Sequence, residues 1–294
     1  MPHQTSVLPE DMISPVRDFP KVRACLFDMD GLLIDSEDIY TFCNNVILQQ
    51  FGRPCLPWTI KAQLQGRPAP ESAEIFHAWA QLPISREEYL LKQAALQRIN
   101  FPTTQPLPGV AGLLANLTAS GTHIALATSS HAVNFKLKTA HLQPLFSHFA
   151  ERNRVLGDDI RIPKGKGKPA PDIYLLALKT INDELTAQGQ KEITPEECLV
   201  FEDSVPGVEA GRRAGMRVVW CPHPELLKIY RGREHEVLAG ITGMLRLPDE
   251  VEQALDESGA KGRVVGRPGK IGDGWAELLI TLKGFPYEKY GIEV

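Results

Sequence analysis

Short runs of apolar residues, bounded by polar turns, recur along the chain and predict buried strands. The four clearest runs are Ala24–Phe27, Ile124–Ala127, Leu199–Phe201 and Val218–Trp220. Each run is continuous rather than alternating, which is typical of strands covered on both faces in a parallel sheet. Helical patterns separate them, at Val110–Ala119, Ile173–Thr180 and Val208–Ala214. This alternation predicts an α/β fold with a doubly wound parallel sheet.

The stretch between the first two strands is too long for an ordinary crossover. From Gly31 to about Pro108 the apolar positions follow helical spacing, and no run resembles a strand. We therefore expect a small helical cap domain inserted into the α/β core. The expected parts are a loosely ordered N-terminal arm at 1–20, a core at 21–35 and 109–250, the cap at 36–108, and a C-terminal extension at 251–294 that could dock as a strand or helix or form a tail.

Composition narrows the class of protein. The chain has 294 residues, 43% hydrophobic and 23% charged, with a net charge of −4, which gives no general drive toward nucleic acid or anionic membranes. No apolar run approaches the roughly 20 residues that a membrane helix needs. Five cysteines form no CxxC pair, which is typical of a reduced, cytoplasmic protein without structural disulfides or zinc.

Two carboxylates follow the first predicted strand, in the sequence Asp28-Met29-Asp30-Gly31. Residues two apart in an extended chain point to the same side, so Asp28 and Asp30 can reach one small volume at the carboxyl edge of the sheet. Two like charges this close repel each other. The pair therefore needs a cation or a shared proton.

Polar groups also follow the later strands. They are Thr128 and Ser129 after the second strand, Lys168 before Pro169, and Glu202 with Asp203 after the third strand. Taken singly, each has a structural explanation: hydroxyls and acids cap helices, and a lysine can belong to a solvated loop. Together they suit Mg²⁺ and a phosphoryl group, because Mg²⁺ prefers carboxylate and phosphate oxygens and a lysine neutralises phosphoryl charge. A carboxylate nucleophile would then form an acyl phosphate.

In these motifs the chain resembles the phosphatases of the haloacid dehalogenase superfamily that carry a helical cap after the first strand. The resemblance covers roughly residues 23–222 and implies a hydrolase of small phosphomonoesters. It implies Asp28 as the nucleophile and Asp30 as the acid/base. Mg²⁺ would be held by the Asp28 carboxylate, the Asp30 backbone oxygen and Asp203, with Glu202 supporting the metal directly or through water. Thr128, Ser129 and Lys168 would bind the transferred phosphoryl group.

Within the superfamily the chain is most similar to pseudouridine-5′-phosphatase-like proteins, which implies a nucleoside or sugar monophosphate as substrate. Glu37 and Arg67 of the predicted cap are candidate contacts to the leaving group, although first-turn dipole matching and a surface salt bridge would explain them equally well.

Four alternatives stay in view, one of which is a phosphonoacetaldehyde hydrolase, whose cap lysine would correspond here to Lys61. Dehalogenases of the superfamily lack the second aspartate, which is present here as Asp30. β-Phosphoglucomutase-like transferases share the cap and motifs but carry a histidine where this chain has Tyr40. A non-catalytic regulatory protein would have lost a catalytic group. We expect a monomer or weak dimer, with no nucleic-acid or membrane partner.

Overall fold

A computed structural model describes residues 19–67, 69–244 and 265–294. Six parallel strands form one sheet in the order β3-β2-β1-β4-β5-β6. Their bounds are β1 Ala24–Phe27, β2 His123–Ala127, β3 Arg154–Val155, β4 Cys198–Glu202, β5 Arg217–Trp220 and β6 Ala276–Leu278. The four predicted strands are present, and the doubly wound α/β prediction is confirmed. The sequence patterns did not predict β3, which has only two residues, and left the three-residue β6 as one of several options for the C-terminal segment.

The helices carry the connections between strands. They are α1 Ser36–Gln50, α2 Trp58–Leu64, α3 Ala69–Ala80, α4 Arg86–Asn100, α5 Val110–Ala119, α6 Ala132–Thr139, α7 Gln143–Phe146, α8 Asp172–Ala187, α9 Val205–Arg213, α10 Pro224–Ile229 and α11 Glu234–Ala239. The predicted bounds of α5 are confirmed, whereas α8 ends later than predicted and α9 begins earlier. No helix of the described residues is long and apolar enough to cross a membrane.

The central strand β1 shows why the sheet is buried on both faces. All four of its residues are buried. Ala24 and Leu26 pack into an apolar cluster that includes residues of α8 and α9, such as Ile173 and Val208. Cys25 and Phe27 point the other way, into a second cluster that includes Val110 and others of α5. A continuous apolar run is therefore required, because each alternate side chain enters a different core.

Helices α1 to α4, here called the inserted helices, lie between β1 and β2 in the chain. They have an apolar cluster of their own, which includes Ile47, Leu56, Phe76 and Tyr89. Their helical character agrees with the sequence pattern. The bounds of this region as a separate cap domain remain a prediction.

The C-terminal segment 265–294 docks on the sheet. Its strand β6 pairs with β5, with Val218 opposite Ala276. Trp275, just before β6, packs edge-on against Phe19 at 5.4 Å. Docking as a strand was one of the three options that the sequence left open. The predicted N-terminal arm lies outside the described residues up to residue 18.

Candidate active site

The ends of β1 and β4 bring three carboxylates together. The strands are hydrogen-bonded neighbours with Phe27 opposite Phe201, so the residues that follow them emerge side by side. One carboxylate oxygen from each of Asp28, Glu202 and Asp203 lies within 4.8 Å of the others. All three side chains are buried. Gly31 allows the close approach, because its φ of +80° is left-handed and a Cβ there would collide with the Asp203 carboxylate.

Lys168 supplies the positive charge among these carboxylates. Its side chain is fully buried, and its Nζ lies 2.5 Å from Asp28 Oδ1 and 2.6 Å from Glu202 Oε1. The same Nζ donates to the carbonyl oxygen of Ala127 at 3.0 Å. A cation four residues before the start of α8 is unfavourable on dipole grounds alone. The two carboxylates provide the compensation.

Glu202 is held by hydrogen bonds at both of its oxygens. Oε1 accepts from the Tyr174 hydroxyl at 2.6 Å, in addition to Lys168. Oε2 accepts from the backbone N–H groups of Asp203 and Ser204, both at 3.1 Å, and from the Ser204 hydroxyl at 3.0 Å. Glu202 is thus built to orient Lys168 and the loop after β4. The cap of α9, which the sequence could have assigned to Glu202 or Asp203, is Ser204.

Burial raises the pKa of two carboxyls in this cluster. The pKa of Asp28 rises to about 8, mainly through burial, although Lys168 opposes the shift. Burial raises the pKa of Asp203 well above its usual range, and the nearby charges of Asp28, Glu202 and Glu37 add to the effect. One lysine does not balance three buried carboxylates. This all-oxygen donor set fits a hard divalent cation such as Mg²⁺.

Asp30 faces a different set of partners. Its carboxylate lies 2.5 Å from the Nζ of Lys138 and accepts hydrogen bonds from the hydroxyls of Ser36, at 2.5 Å, and Ser130, at 2.7 Å. Burial favours the neutral acid, but Lys138 and these donors outweigh it, so the pKa of Asp30 lies below its ordinary value. Asp28 and Asp30 therefore have separate cations.

Lys138 is a residue of the site that the sequence reasoning missed. Its side chain is fully buried, its Nζ donates to Tyr40 Oη at 2.8 Å, and it lies 4.7 Å from the ring centroid of Phe101. A signal was present. Lys138 is three residues after Phe135 on α6 and four before Leu142, both of which pack in the core. A lysine on an apolar stripe at helical spacing indicates a buried charge.

The loop after β2 forms part of the same site. Thr128 is fully buried, and its Oγ1 accepts from the N–H of Ser130 at 3.1 Å. The Ser129 hydroxyl donates to the carbonyl oxygen of Gly66, at 3.3 Å, in the turn after α2. The loop thus contacts both the sheet and the inserted helices.

Gln65, in the same turn after α2, contacts the cluster of buried carboxylates through Asp203. Its Nε2 donates to Asp203 Oδ2, and its Oε1 has no hydrogen-bond partner among the described residues. No sequence pattern singled this residue out. Gly66 is required beside it, because a Cβ there would collide with the Ser204 side chain.

The two predicted cap contacts, Glu37 and Arg67, both line the cavity described below. Glu37 is buried and lies 3.1 Å from the Nζ of Lys61. Arg67 lies between α2 and α3 and is held by both helices: its Nε donates to the Gln63 carbonyl at 2.8 Å, and its Nη1 lies 3.4 Å from Glu71.

A cavity of about 230 Å³ lies between the strand ends and the inserted helices. Asp28, Asp30, Thr128, Ser129 and Asp203 line it on the side of the sheet. Glu37, Lys61, Phe76 and Arg67 line it from the inserted helices. A small molecule in this cavity can therefore contact the buried carboxylates at one end and the inserted helices at the other.

Comparisons with known proteins agree with this arrangement. The family model for haloacid dehalogenase-like hydrolases matches residues 22–215, so the chain belongs to this family. A putative β-phosphoglucomutase from Thermotoga maritima has a similar structure, with a TM-score of 0.52 and 27% identity over 81% of this chain and 100% of that one.

Two curated relatives narrow the class to phosphatases. A probable pseudouridine-5′-phosphatase of Saccharomyces cerevisiae is 43% identical over 79% of this chain and 96% of its own length. A mitochondrial (DL)-glycerol-3-phosphatase of Arabidopsis thaliana is 35% identical over 74% of this chain and 69% of its own length. The predicted family and the predicted phosphatase class are confirmed.

Proposed function

We propose that this phosphatase hydrolyses a small phosphomonoester through an aspartyl-phosphate intermediate on Asp28, with Mg²⁺ as cofactor. The observation that carries the proposal is the position of Asp28. Its carboxylate lies 2.5 Å from Lys168, belongs to a cluster of three buried carboxylates, and lines the cavity. No other described carboxylate combines these three properties.

The chemistry has two steps. One Asp28 oxygen attacks phosphorus and the bond to the ester oxygen breaks. Asp30, which is ionised beside Lys138 in the free enzyme, takes up a proton in the substrate complex and gives it to the leaving alkoxide. Water then gives a proton to Asp30 and attacks the acyl phosphate, which releases inorganic phosphate and restores the Asp28 carboxylate and the protonated Asp30. Lys168 neutralises charge on the phosphoryl oxygens, while Thr128, Ser129 and nearby backbone N–H groups bind the remaining oxygens.

The residues that would hold Mg²⁺ are the carboxylates of Asp28 and Asp203 and the backbone oxygen of Asp30. A bound Mg²⁺ ion supplies charge neutralisation at the phosphoryl group. The positive charge of the ion would also lower the pKa values of Asp28 and Asp203, which burial raises. Glu202 would stabilise these metal ligands rather than bind the ion itself, because both of its oxygens already accept hydrogen bonds.

The substrate is a nucleoside or sugar monophosphate, with pseudouridine 5′-phosphate the leading candidate because of the yeast relative's name. Glycerol 3-phosphate follows for the same reason. Glu37 and Arg67 are the proposed contacts to the leaving group. The enzyme acts as a monomer or weak dimer in the cytoplasm, where its five free cysteines would stay reduced.

The test is phosphate release from p-nitrophenyl phosphate, pseudouridine 5′-phosphate, ribose 5-phosphate and glycerol 3-phosphate, with and without Mg²⁺. We expect Mg²⁺-dependent release, with kcat/KM greatest for one of the natural esters. Brief incubation with ³²P-labelled substrate and an acid quench should trap label on Asp28. Absence of release from every ester, with folded protein, would support the non-catalytic alternative.

The mutase alternative is supported by the similar structure from Thermotoga maritima, which is a putative β-phosphoglucomutase. A mutase would transfer the phosphoryl group from Asp28 to a second sugar hydroxyl instead of water. Incubation with β-glucose 1-phosphate and a bisphosphate activator distinguishes the two. Formation of glucose 6-phosphate faster than inorganic phosphate would contradict the hydrolase proposal.

A further inference from the structure

The far end of the cavity carries a polar network that the phosphoryl chemistry does not use. It consists of Asn44 on α1 and Tyr89 and Gln93 on α4, here called the amide network, and all three residues line the cavity. The Tyr89 hydroxyl donates to Asn44 Oδ1 at 2.7 Å. Gln93 Nε2 donates to Asn44 Oδ1 at 3.0 Å and to the Tyr89 oxygen at 2.8 Å.

These bonds leave two groups for a ligand. Within the described part of the chain, the Asn44 Nδ2 donor and the Gln93 Oε1 acceptor have no hydrogen-bond partner. Rotating both amides by 180° exchanges their nitrogen and oxygen atoms, and one donor and one acceptor are again left over. The network therefore presents a neighbouring donor and acceptor to the cavity in either orientation.

The position of the network sets the length of the molecule it can reach. Glu37, Thr41 and Asn44 follow one another along one face of α1, and Glu37 is next to Ser36, which hydrogen-bonds Asp30. Seven residues of α-helix from Glu37 to Asn44 span about 10 Å. A ribose followed by one six-membered ring has this reach, whereas the glycerol of a glycerol phosphate ends well short of it.

The wall between the two ends suits such a molecule. Near the strand ends, Glu37 and Lys61 form a buried ion pair at 3.1 Å that can bind sugar hydroxyls. Further out, Leu56, Leu64 and Phe76 line the cavity, so a flat ring can pack there on apolar surface. The amide network then lies where the outer edge of the ring would be.

We infer that the amide network recognises the edge of a single-ring nucleobase, through an adjacent carbonyl and N–H such as those of the imide of pseudouracil or uracil. This inference rests on the proposed phosphatase function and selects a pyrimidine-type nucleoside monophosphate over glycerol and simple sugar phosphates. A site built to hydrogen-bond such groups discriminates strongly against analogues that lack them, because its own polar atoms would then stay unpaired.

The experiment is a cycle that combines one protein change with one substrate change. Gln93→Met removes the amide at nearly constant volume, and N3-methylation of pseudouridine 5′-phosphate removes the imide N–H. We expect each change alone to lower kcat/KM by about 10- to 100-fold. The two changes together should lower kcat/KM little more than either change alone, because both remove the same contact. If the two changes together lowered kcat/KM by the product of their separate factors, the inference would be wrong.

Two further measurements separate the inference from the function on which it rests. Gln97→Met changes a buried glutamine on α4, one turn from the half-buried Gln93, that is not among the residues lining the cavity, and it should leave every rate unchanged. The ratio of kcat/KM for pseudouridine 5′-phosphate to that for glycerol 3-phosphate should fall at least about tenfold in Gln93→Met. An unchanged ratio, with all esters still hydrolysed, would refute the amide network alone. A wild-type chain that hydrolyses no ester would refute the phosphatase function.

Discussion

The two ends of the cavity differ in the kind of polar groups they contain. At the strand ends the groups are charged, and they are fixed by one another: Lys168 contacts Asp28 and Glu202, and Lys138 contacts Asp30. At the far end Asn44, Tyr89 and Gln93 are neutral, and each lies on an inserted helix beside apolar surface. In the proposed function, the charged end serves a reaction common to many phosphoesters. The proposed role of the neutral end is to distinguish one leaving group from another.

Replacement of the nucleophile should give the largest effect at the charged end. We expect Asp28→Asn to lower kcat by at least about 1,000-fold for every ester, because no other carboxylate of the described residues combines the Lys168 contact, the acidic cluster and the cavity. The melting temperature should hold or rise, since the change removes a buried carboxylate whose pKa is raised to about 8. Asp183→Asn, at a side chain that is 61% exposed, is the control. Full activity of Asp28→Asn would exclude the covalent route.

The next effect concerns stability. Lys168→Met should lower the free energy of unfolding by about 3–5 kcal/mol, because it leaves Asp28 and Glu202 buried without their cation. Adding Glu202→Gln should recover part of this loss without restoring activity. Urea unfolding of both variants measures the difference. If Lys168→Met were as stable as the wild type, the folded state would not depend on the ion pairs of Lys168 with Asp28 and Glu202.

Metal binding should depend on Asp203. We expect Asp203→Asn to raise the Mg²⁺ concentration for half-maximal activity by about 10- to 100-fold, because one of the proposed ligands is lost. Calorimetric titration of Mg²⁺ without substrate checks the same step in isolation. Equal Mg²⁺ affinity in the variant and the wild type would remove Asp203 from the metal site.

The smallest effect should come from Arg67, at the side of the inserted helices. Arg67→Ala should raise KM for the best substrate by about two- to tenfold, the cost of one hydrogen-bonded contact, and leave kcat nearly unchanged. Arg98→Ala, on the exposed surface of α4, is the control. An unchanged KM would leave leaving-group recognition to Glu37 and the amide network.

The same contrast explains what the sequence could predict. A local sequence signal marks four residues of the charged end. Asp28, Asp30 and Thr128 come just after an apolar strand, and Lys168 precedes a proline that fixes the backbone. Parallel strands then bring their ends to one edge, so the charged end of the cavity was accessible to sequence reasoning.

The far end carried no local signal of this kind. Asn44 and Gln93 meet across 49 residues of chain. Such contacts depend on how the helices pack, which hydrophobic spacing alone leaves open. The short strand β3 was missed, and β6 was left as one of three options, for a related reason, since two or three residues are too few to establish a period.

Strand β6 has a consequence for the behaviour of the chain in concentrated solution. It pairs with β5, whose four residues are all buried, and the matched family region ends at residue 215, before either strand. Without β6, β5 would present an open apolar edge, which is a template for pairing with another molecule. β6 itself is short and places Glu277 at the new edge, a poor surface for further strand addition. By covering the edge of β5, the C-terminal segment should therefore reduce aggregation through strand pairing.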